Sequence, residues 1–254
     1  MSVAGAHEDR CVASASRRRS VLDLARVRAR YSVRAVLSRY PWLYLPMVRR
    51  KYRGQIVEAG TELVIEAFPR SGNTFAVVAF QLAQARPVRI AHHLHAAAQV
   101  TRGVRLRKPT LVLIRDPLEA VSSQLVREPC VAPRQALRNW IRFYTSVGDV
   151  RDHLLLATFE EVTTDFGDVV GRLNDLFGTS FVRFEHTPEN VERCFARIEE
   201  RNRFLYARLV ESAVARPSSA RGSAKDAIRP KLQASSTRPL VDRAYRLHRS
   251  LVGR

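Results

Sequence analysis

Residues 64 to 75 read Val-Ile-Glu-Ala-Phe-Pro-Arg-Ser-Gly-Asn-Thr-Phe, and this segment constrains the fold more than any other. A short apolar run, suited to a strand, breaks into the polar turn Pro69 to Thr74, and the apolar helical pattern of Ala76 to Gln84 follows. A strand that opens into a small polar loop and then a helix makes a place for an oxyanion. Successive backbone N–H groups and the helix N-terminus converge there on one spot. Gly72 permits close backbone approach, Arg70 supplies charge and a fork of donors, Ser71 and Thr74 add hydroxyls, and Asn73 sits between them. The segment is not a Walker A loop, because that loop's first Gly and its Lys are both missing. The same residue types also serve an ordinary turn with a capped helix.

The rest of the chain alternates. Pro87 to Ile90 reads as a short strand, Leu94 to Thr101 as a helix, and Thr110 to Ile114 as a continuous apolar run suited to a buried parallel strand. Pro117 opens a helix to Val126, Pro133 to Val147 forms another, Leu154 to Phe159 is a strand, and Phe166 to Phe177 is a helix stopped by Gly178. Helical patterns cover Pro188 to Val214 and Arg238 to Val252, with an exposed Ser- and Arg-rich loop expected over residues 215 to 227. Strands alternating with helices imply an α/β fold, a doubly wound parallel sheet with its ligand outside the carboxyl ends of the strands.

Residues 61 to 254 read as one such domain, long enough for a full core. Residues 1 to 20 are small, polar and basic and read as a disordered tail. Residues 21 to 60 form a basic amphipathic segment. Leu22, Leu24, Val27, Val33, Val36 and Leu37 keep a helical period among arginines, Tyr40 to Pro46 interrupts it with aromatics, and Arg49-Arg50-Lys51-Tyr52-Arg53 restores charge. Residues 21 to 53 suit an anionic membrane surface or an acidic polysaccharide, or else a helix packed on the domain with snorkelling arginines.

The net charge of +19 implies a polyanionic partner. Nucleic acid is disfavoured, because an aromatic-interleaved basic patch does not stand out beyond residues 26 to 53. Cys11, Cys130 and Cys194 form neither a disulfide framework nor a metal-ligand spacing. No apolar run approaches the roughly 18 residues of a membrane span, and no apolar stretch follows Arg17-Arg18-Arg19 to make a secretory signal. A cytoplasmic protein, in peripheral contact with a membrane at most, is the expectation.

Strand 110 to 114 runs into Arg115-Asp116-Pro117, with Ser123 one to two helical turns on. An Arg leaving a strand and a Ser returning from the next helix can converge on one anion, while Asp116 caps that helix and Pro117 fills its first turn. Between the two loops lie His92, His93 and His95. A neutral imidazole near pH 7 is suited to taking a proton from a hydroxyl. No metal site is expected, because no carboxylate or Cys is near in sequence and an extended chain sends His92 and His93 to opposite faces. Ordinary polar loop histidines are the remaining reading.

Phe68 to Phe75 resembles the 5′-phosphosulfate loop of the PAPS-dependent sulfotransferases, usually Pro-Lys-Ser-Gly-Thr-Thr-Trp, with Pro-Arg-Ser-Gly-Asn-Thr a variant. Arg115 and Ser123 fall on the spacing of that family's 3′-phosphate motif, and His93-Leu94 is similar to its His-Leu pair, whose His is the catalytic base. Ala91 stands where the family has Lys, and no Pro follows Leu94. The resemblance implies a sulfotransferase fold with a P-loop-like sheet, PAPS as donor substrate, and no metal. It implies that Arg70, Ser71, Gly72, Asn73 and Thr74 hold the 5′ end and that Arg115 and Ser123 hold the 3′ end. It implies that Phe75 and Phe159 flank adenine, that Arg221 and Lys225 clamp from a late basic loop, and that His93 is the base, with His92 and His95 as substitutes.

The reading is an enzyme moving a sulfuryl group from PAPS to a hydroxyl or amine acceptor. Because Thr74 and His93 are close in sequence, an open acceptor site for a saccharide or lipid-linked substrate is expected. The alternatives are a nucleotide-dependent phosphotransferase, which the missing Walker Lys and Mg²⁺ carboxylate disfavour, and a non-catalytic basic protein that binds polyanions.

Overall fold

The computed structural model describes residues 20–211, 213–216 and 219–253. The expected tail, apart from Ser20, and Cys11 lie outside the described residues. Four strands form one parallel sheet in the order β2-β1-β3-β4: β1 Leu63–Ala67, β2 Ile90–His92, β3 Thr110–Ile114 and β4 Leu155–Thr158. Helices α1 Val21–Leu37 and α2 Pro41–Val48 precede the sheet. Helices α3 Asn73–Ala83 and α4 Ala97–Arg105 connect β1 to β2 and β2 to β3, and α5 Pro117–Arg127 and α6 Pro133–Gly148 connect β3 to β4. After β4 come α7 Phe159–Thr164, α8 Phe166–Phe177, α9 Pro188–Tyr206, α10 Ser219–Asp226, α11 Arg229–Gln233 and α12 Arg238–Val252.

Helices cover both faces, which is why β1 and β3 are buried throughout. Alternate side chains divide between the faces. Leu63, Ile65, Leu111 and Leu113 pack with Val77 and Phe80 of α3, Val169 and Leu173 of α8 and Ile198 of α9. Val112 and Ile114 point the other way, onto Val121 of α5, Leu137 and Trp140 of α6 and Ala244 of α12. Each such Leu, Val or Ile contributes about 1.5–3 kcal/mol by leaving water, and a polar residue in these strands needs its own partners. The strand order reverses between β1 and β3, whose neighbours β2 and β4 lie on opposite sides. The loops after these two strands therefore open side by side at the carboxyl edge, where such folds place ligands.

Several boundaries differ from the sequence expectation. β2 begins at Ile90 rather than Pro87, because its pairing with β1 starts at Leu63↔Ile90. α4 begins at Ala97 rather than Leu94, because His95 is left-handed at φ 50° and Ala96 is extended. Phe159 heads α7 rather than ending a strand. Thr158 Oγ1 accepts from Glu161 N at 3.1 Å and Glu161 Oε2 accepts from Thr158 N at 2.6 Å, a capping box. α9 stops at Tyr206 instead of running to Val214, with Ala207 left-handed at φ 57° and Asn202 Oδ1 accepting from Val210 N at 2.7 Å. In the expected loop of 215 to 227, Ser219–Asp226 is helical. Helix α2 begins within the Tyr40 to Pro46 interruption and runs to Val48, with Pro41 in its first turn.

α1 packs on α6, where Gln135 Nε2 donates to Ser32 Oγ at 2.7 Å and Asn139 Nδ2 to Tyr31 OH at 3.1 Å; α2 packs on α4. Among the described residues, no helix is long and apolar enough to cross a membrane.

Candidate functional site

The loop after β1 turns on two left-handed residues, Arg70 at φ 69° and Gly72 at φ 91°. Glycine is needed at position 72, because a Cβ there would also stand 3.2 Å from a Phe159 ring carbon. α3 starts directly after it, and the N–H groups of a helix's first turn have no partner within the helix. Asn73 in that turn is 3% exposed, yet neither atom of its amide has a hydrogen-bond partner. Burying such a group unpaired costs about 1–3 kcal/mol. Ser71 is buried beside Tyr144, whose hydroxyl donates to the Leu113 carbonyl at 2.7 Å. Thr74 Oγ1 lies 3.0 Å from His93 Nε2. Phe75 sits in the core, its ring centroid 5.8 to 6.3 Å from those of Phe195, His186 and Phe184.

The loop after β3 meets the first one. Arg115 Nη1 donates to the Arg70 carbonyl at 3.1 Å, and its guanidinium lies 4.1 Å from the centre of the Phe159 ring, a cation–π contact. Arg70 reaches across to α5, where Nε donates to Ser123 Oγ at 3.1 Å. Its two terminal nitrogens donate to the carbonyls of Ala213 and Val214, each at 3.2 Å. Three of the five N–H groups of this guanidinium are thus committed. The sequence reading sends Arg70 and Ser123 to opposite ends of a ligand, whereas the fold bonds them directly. Ser123 keeps its own O–H to donate.

The late basic residues arrive at the same place. Glu119 of α5 binds Lys225, Arg229 at 2.9 Å and Arg115 at 3.4 Å, while Arg221 donates to the Val214 carbonyl. Asp116 Oδ1 is occupied as the cap of α5, accepting from Leu118 N at 2.9 Å and Glu119 N at 3.0 Å. Burial, and then the charges of Arg127, Arg221 and Arg115, push the Arg70 guanidinium down to about 9, with Glu128 opposing. Burial lowers Arg115 as well, against the pull of Glu119, Glu160 and Asp116. A buried cation among three like charges is stabilised by an anion brought into contact with it.

The histidine turn adjoins the first loop. Glu66 of β1 is fully buried. Its Oε1 accepts from Leu94 N at 2.8 Å and Gln99 Nε2 at 3.0 Å, and its Oε2 from His95 N at 3.0 Å and Ala67 N at 3.3 Å. Held this way, the chain passes through left-handed steps at His93 (φ 58°) and His95 (φ 50°). Those steps bring the rings of His92 and His93 together, Nδ1 to Nδ1 at 2.6 Å. The expectation that an extended chain separates these rings therefore fails. His95 Nδ1 donates to the Ala67 carbonyl at 2.8 Å.

Burial and the neighbouring His92 hold His93 well below its ordinary value. Burial, Arg201 and His95 push His92 down to about 4. Both rings are neutral at pH 7, so one Nδ1 donates and the other accepts. With the proton on His93 Nδ1, His93 Nε2 accepts from the Thr74 hydroxyl; the other pair of tautomers reverses both bonds. Among the described residues, no three or more His, Cys, Asp or Glu side chains are arranged to hold a metal ion.

Sequence reasoning missed Glu66, Glu119, Arg127 and Arg229. For Glu66 the signal was available: a carboxylate inside the apolar run Leu63–Ala67 must be buried, and a buried carboxylate must organise donors around it. The other three gave none, since charged residues on helices are usually solvated.

The fold and site define an α/β protein whose parallel sheet, flanked by helices, carries a cluster of guanidinium groups where the loops after two adjacent strands meet. No protein-family model matches the sequence, and no curated protein matches it. Among solved structures, the mouse sulfotransferase SULT7A1 complexed with PAP is similar over 74% of this chain and 90% of that chain, with 13% identity and a TM-score of 0.41.

Proposed function

We propose that this chain is a sulfotransferase that takes a sulfuryl group from PAPS and gives it to a hydroxyl or amine. The observation that carries the reading is the buried Arg70 guanidinium, hydrogen-bonded to Ser123 and crowded by Arg115, Arg127 and Arg221. An anion resting on the first turn of α3 and touching Arg70 relieves that like-charge repulsion. In this reading Ser71, Gly72, Asn73 and Thr74 hold the 5′-phosphosulfate. The two uncommitted N–H groups of Arg70 serve the same end. Arg115 and Ser123 hold the 3′-phosphate, with Arg221 and Lys225 closing over it, and Phe159, already under Arg115, offers a ring to the adenine.

The reaction forms a bond from sulfur to the acceptor oxygen or nitrogen, breaks the bond from sulfur to the bridging phosphate oxygen, and sends the acceptor's proton to a base. His93 is that base in this reading. Its Nε2 lies 3.0 Å from the loop hydroxyl of Thr74, and an anion in the loop lifts the imidazole's proton affinity toward neutrality. Charge building on the departing oxygen meets Arg70 and the loop N–H groups, whose positions are fixed beforehand. A saccharide or lipid-linked molecule is the acceptor class this reading favours.

The test is thermal unfolding with PAP, with ATP and with neither, followed by transfer of labelled sulfate to a panel of alcohols and amines. PAP at 100 times its Kd should add about 2.7 kcal/mol of stability, and Arg70→Ala should abolish the gain. Stabilisation by ATP alone would favour a phosphotransferase, and stabilisation by neither nucleotide would favour a non-catalytic polyanion binder. Full turnover by His93→Ala would remove His93 from the mechanism and leave the donor assignment standing.

A further inference from the structure

The first two helices carry a surface that the reading above does not use. Residues 20 to 53 hold nine Lys and Arg against the single carboxylate of Asp23; Arg34 and Arg39 bond inward, and Arg49 pairs with the exposed Glu58 at 3.3 Å. α2 is fixed from beneath: Pro41, Tyr44 and Leu45 are buried, and Arg34 Nε donates to Tyr44 OH at 2.8 Å. Its outer edge points the other way, leaving Trp42 73% and Met47 62% exposed, and Tyr40 at its head and Val36 near the end of α1 are exposed too. Arg49 and Arg50 follow directly, also exposed. Large apolar side chains held outward on a fixed helix gain nothing in water. Beside a run of cations, they match the headgroup layer of an anionic bilayer, where Trp and Met enter the acyl boundary and Arg meets lipid phosphate.

We infer that the exposed edge of α2, with the end of α1, is a docking surface for an anionic lipid bilayer. An acidic polysaccharide would satisfy the arginines but would leave Trp42 and Met47 in water. The surface is coupled to the site: the Ser38 carbonyl accepts from Ala98 N at 2.7 Å, and Arg34 Nη2 reaches the Leu94 carbonyl in the histidine turn at 3.5 Å. The inference stands whether or not the chain transfers sulfate.

The chain's two tryptophans make the test direct, because Trp42 is exposed while Trp140 is fully buried and should not respond. The full chain is mixed with phosphatidylcholine vesicles, with and without phosphatidylglycerol, and followed by sedimentation and Trp emission. A blue shift and sedimentation with the anionic vesicles alone are expected. Trp42→Ser with Met47→Ser should cut binding about tenfold, as should Arg49→Ala with Arg50→Ala. Equal binding to neutral vesicles overturns the inference, as does undiminished binding by the Trp42 and Met47 variant. Capture by heparin with no shift of Trp42 emission on anionic vesicles overturns it in favour of a polysaccharide.

Discussion

Glu66→Gln is a perturbation whose consequence can be worked through from the structure. Burial pushes the Glu66 carboxyl from an ordinary 4.5 up to about 8, against four N–H donors that favour its ionised form. Between those two values the native protein holds a proton that the unfolded chain has released. The native state binds more protons, so this contribution to stability is complete below pH 4.5 and is lost as pH rises through about 8. The loss is about 1.36 kcal/mol per pH unit, or roughly 5 kcal/mol over the window. Gln keeps the size and neutrality of the protonated side chain and removes the titration; its NH2 faces two N–H donors wherever it is placed, a pH-independent cost that offsets the curve without changing its slope.

Urea unfolding of both proteins at several pH values between the two limits gives two stability curves. Their difference cancels every other titrating group. This includes His92 and His93, whose lowered values act with the opposite sign: their contribution is present above 6.5 and lost as pH falls below it. Glu66→Gln should gain on the parent by about 1.4 kcal/mol per pH unit. Parallel curves would refute the reasoning. A parent that gains on the variant as pH rises would mean that the four donors outweigh burial and the carboxylate is ionised.

Two further substitutions test the loops. Gly72→Ala places a side chain at φ 91° with its Cβ 3.2 Å from a Phe159 ring that Arg115 covers on one face. It should lower the unfolding free energy by about 1–3 kcal/mol and weaken PAP binding, and unchanged stability in urea would mean the loop does not need its left-handed turn. Asp116→Ala removes the cap of α5 and should cost about 0.5–2 kcal/mol, with Asp116→Asn recovering most of it; an equal loss in both variants would assign the cost to something other than the cap.

The sheet was legible in the sequence because its signals are local. The apolar run of Thr110–Ile114 specifies a buried strand, Asp116-Pro117 specifies a helix start, and the turn ending in Gly72 can form only where a residue accepts a positive φ. Boundaries failed where a distant partner won. Glu66 holds a turn whose left-handed His93 and His95 keep Leu94 and His95 out of a helix, and Asn202 helps turn the chain after Tyr206. Phe75, similar in sequence to an adenine-flanking residue, packs with Phe184, His186 and Phe195, neighbours from elements that no local pattern links to it.

By itself, then, the sequence determined the parallel strands and the two residue sets at the ends of β1 and β3, because strand, turn and cap are decided within a few residues. Only the tertiary structure decided that Arg70 bonds Ser123 and the carbonyls after α9, that Arg115 lies on Phe159, and that two adjacent histidines share a hydrogen bond in a turn held by a buried carboxyl group. Those relations join residues far apart in the chain or depend on left-handed backbone steps. They exist only once the sheet order has brought the two loops to one edge.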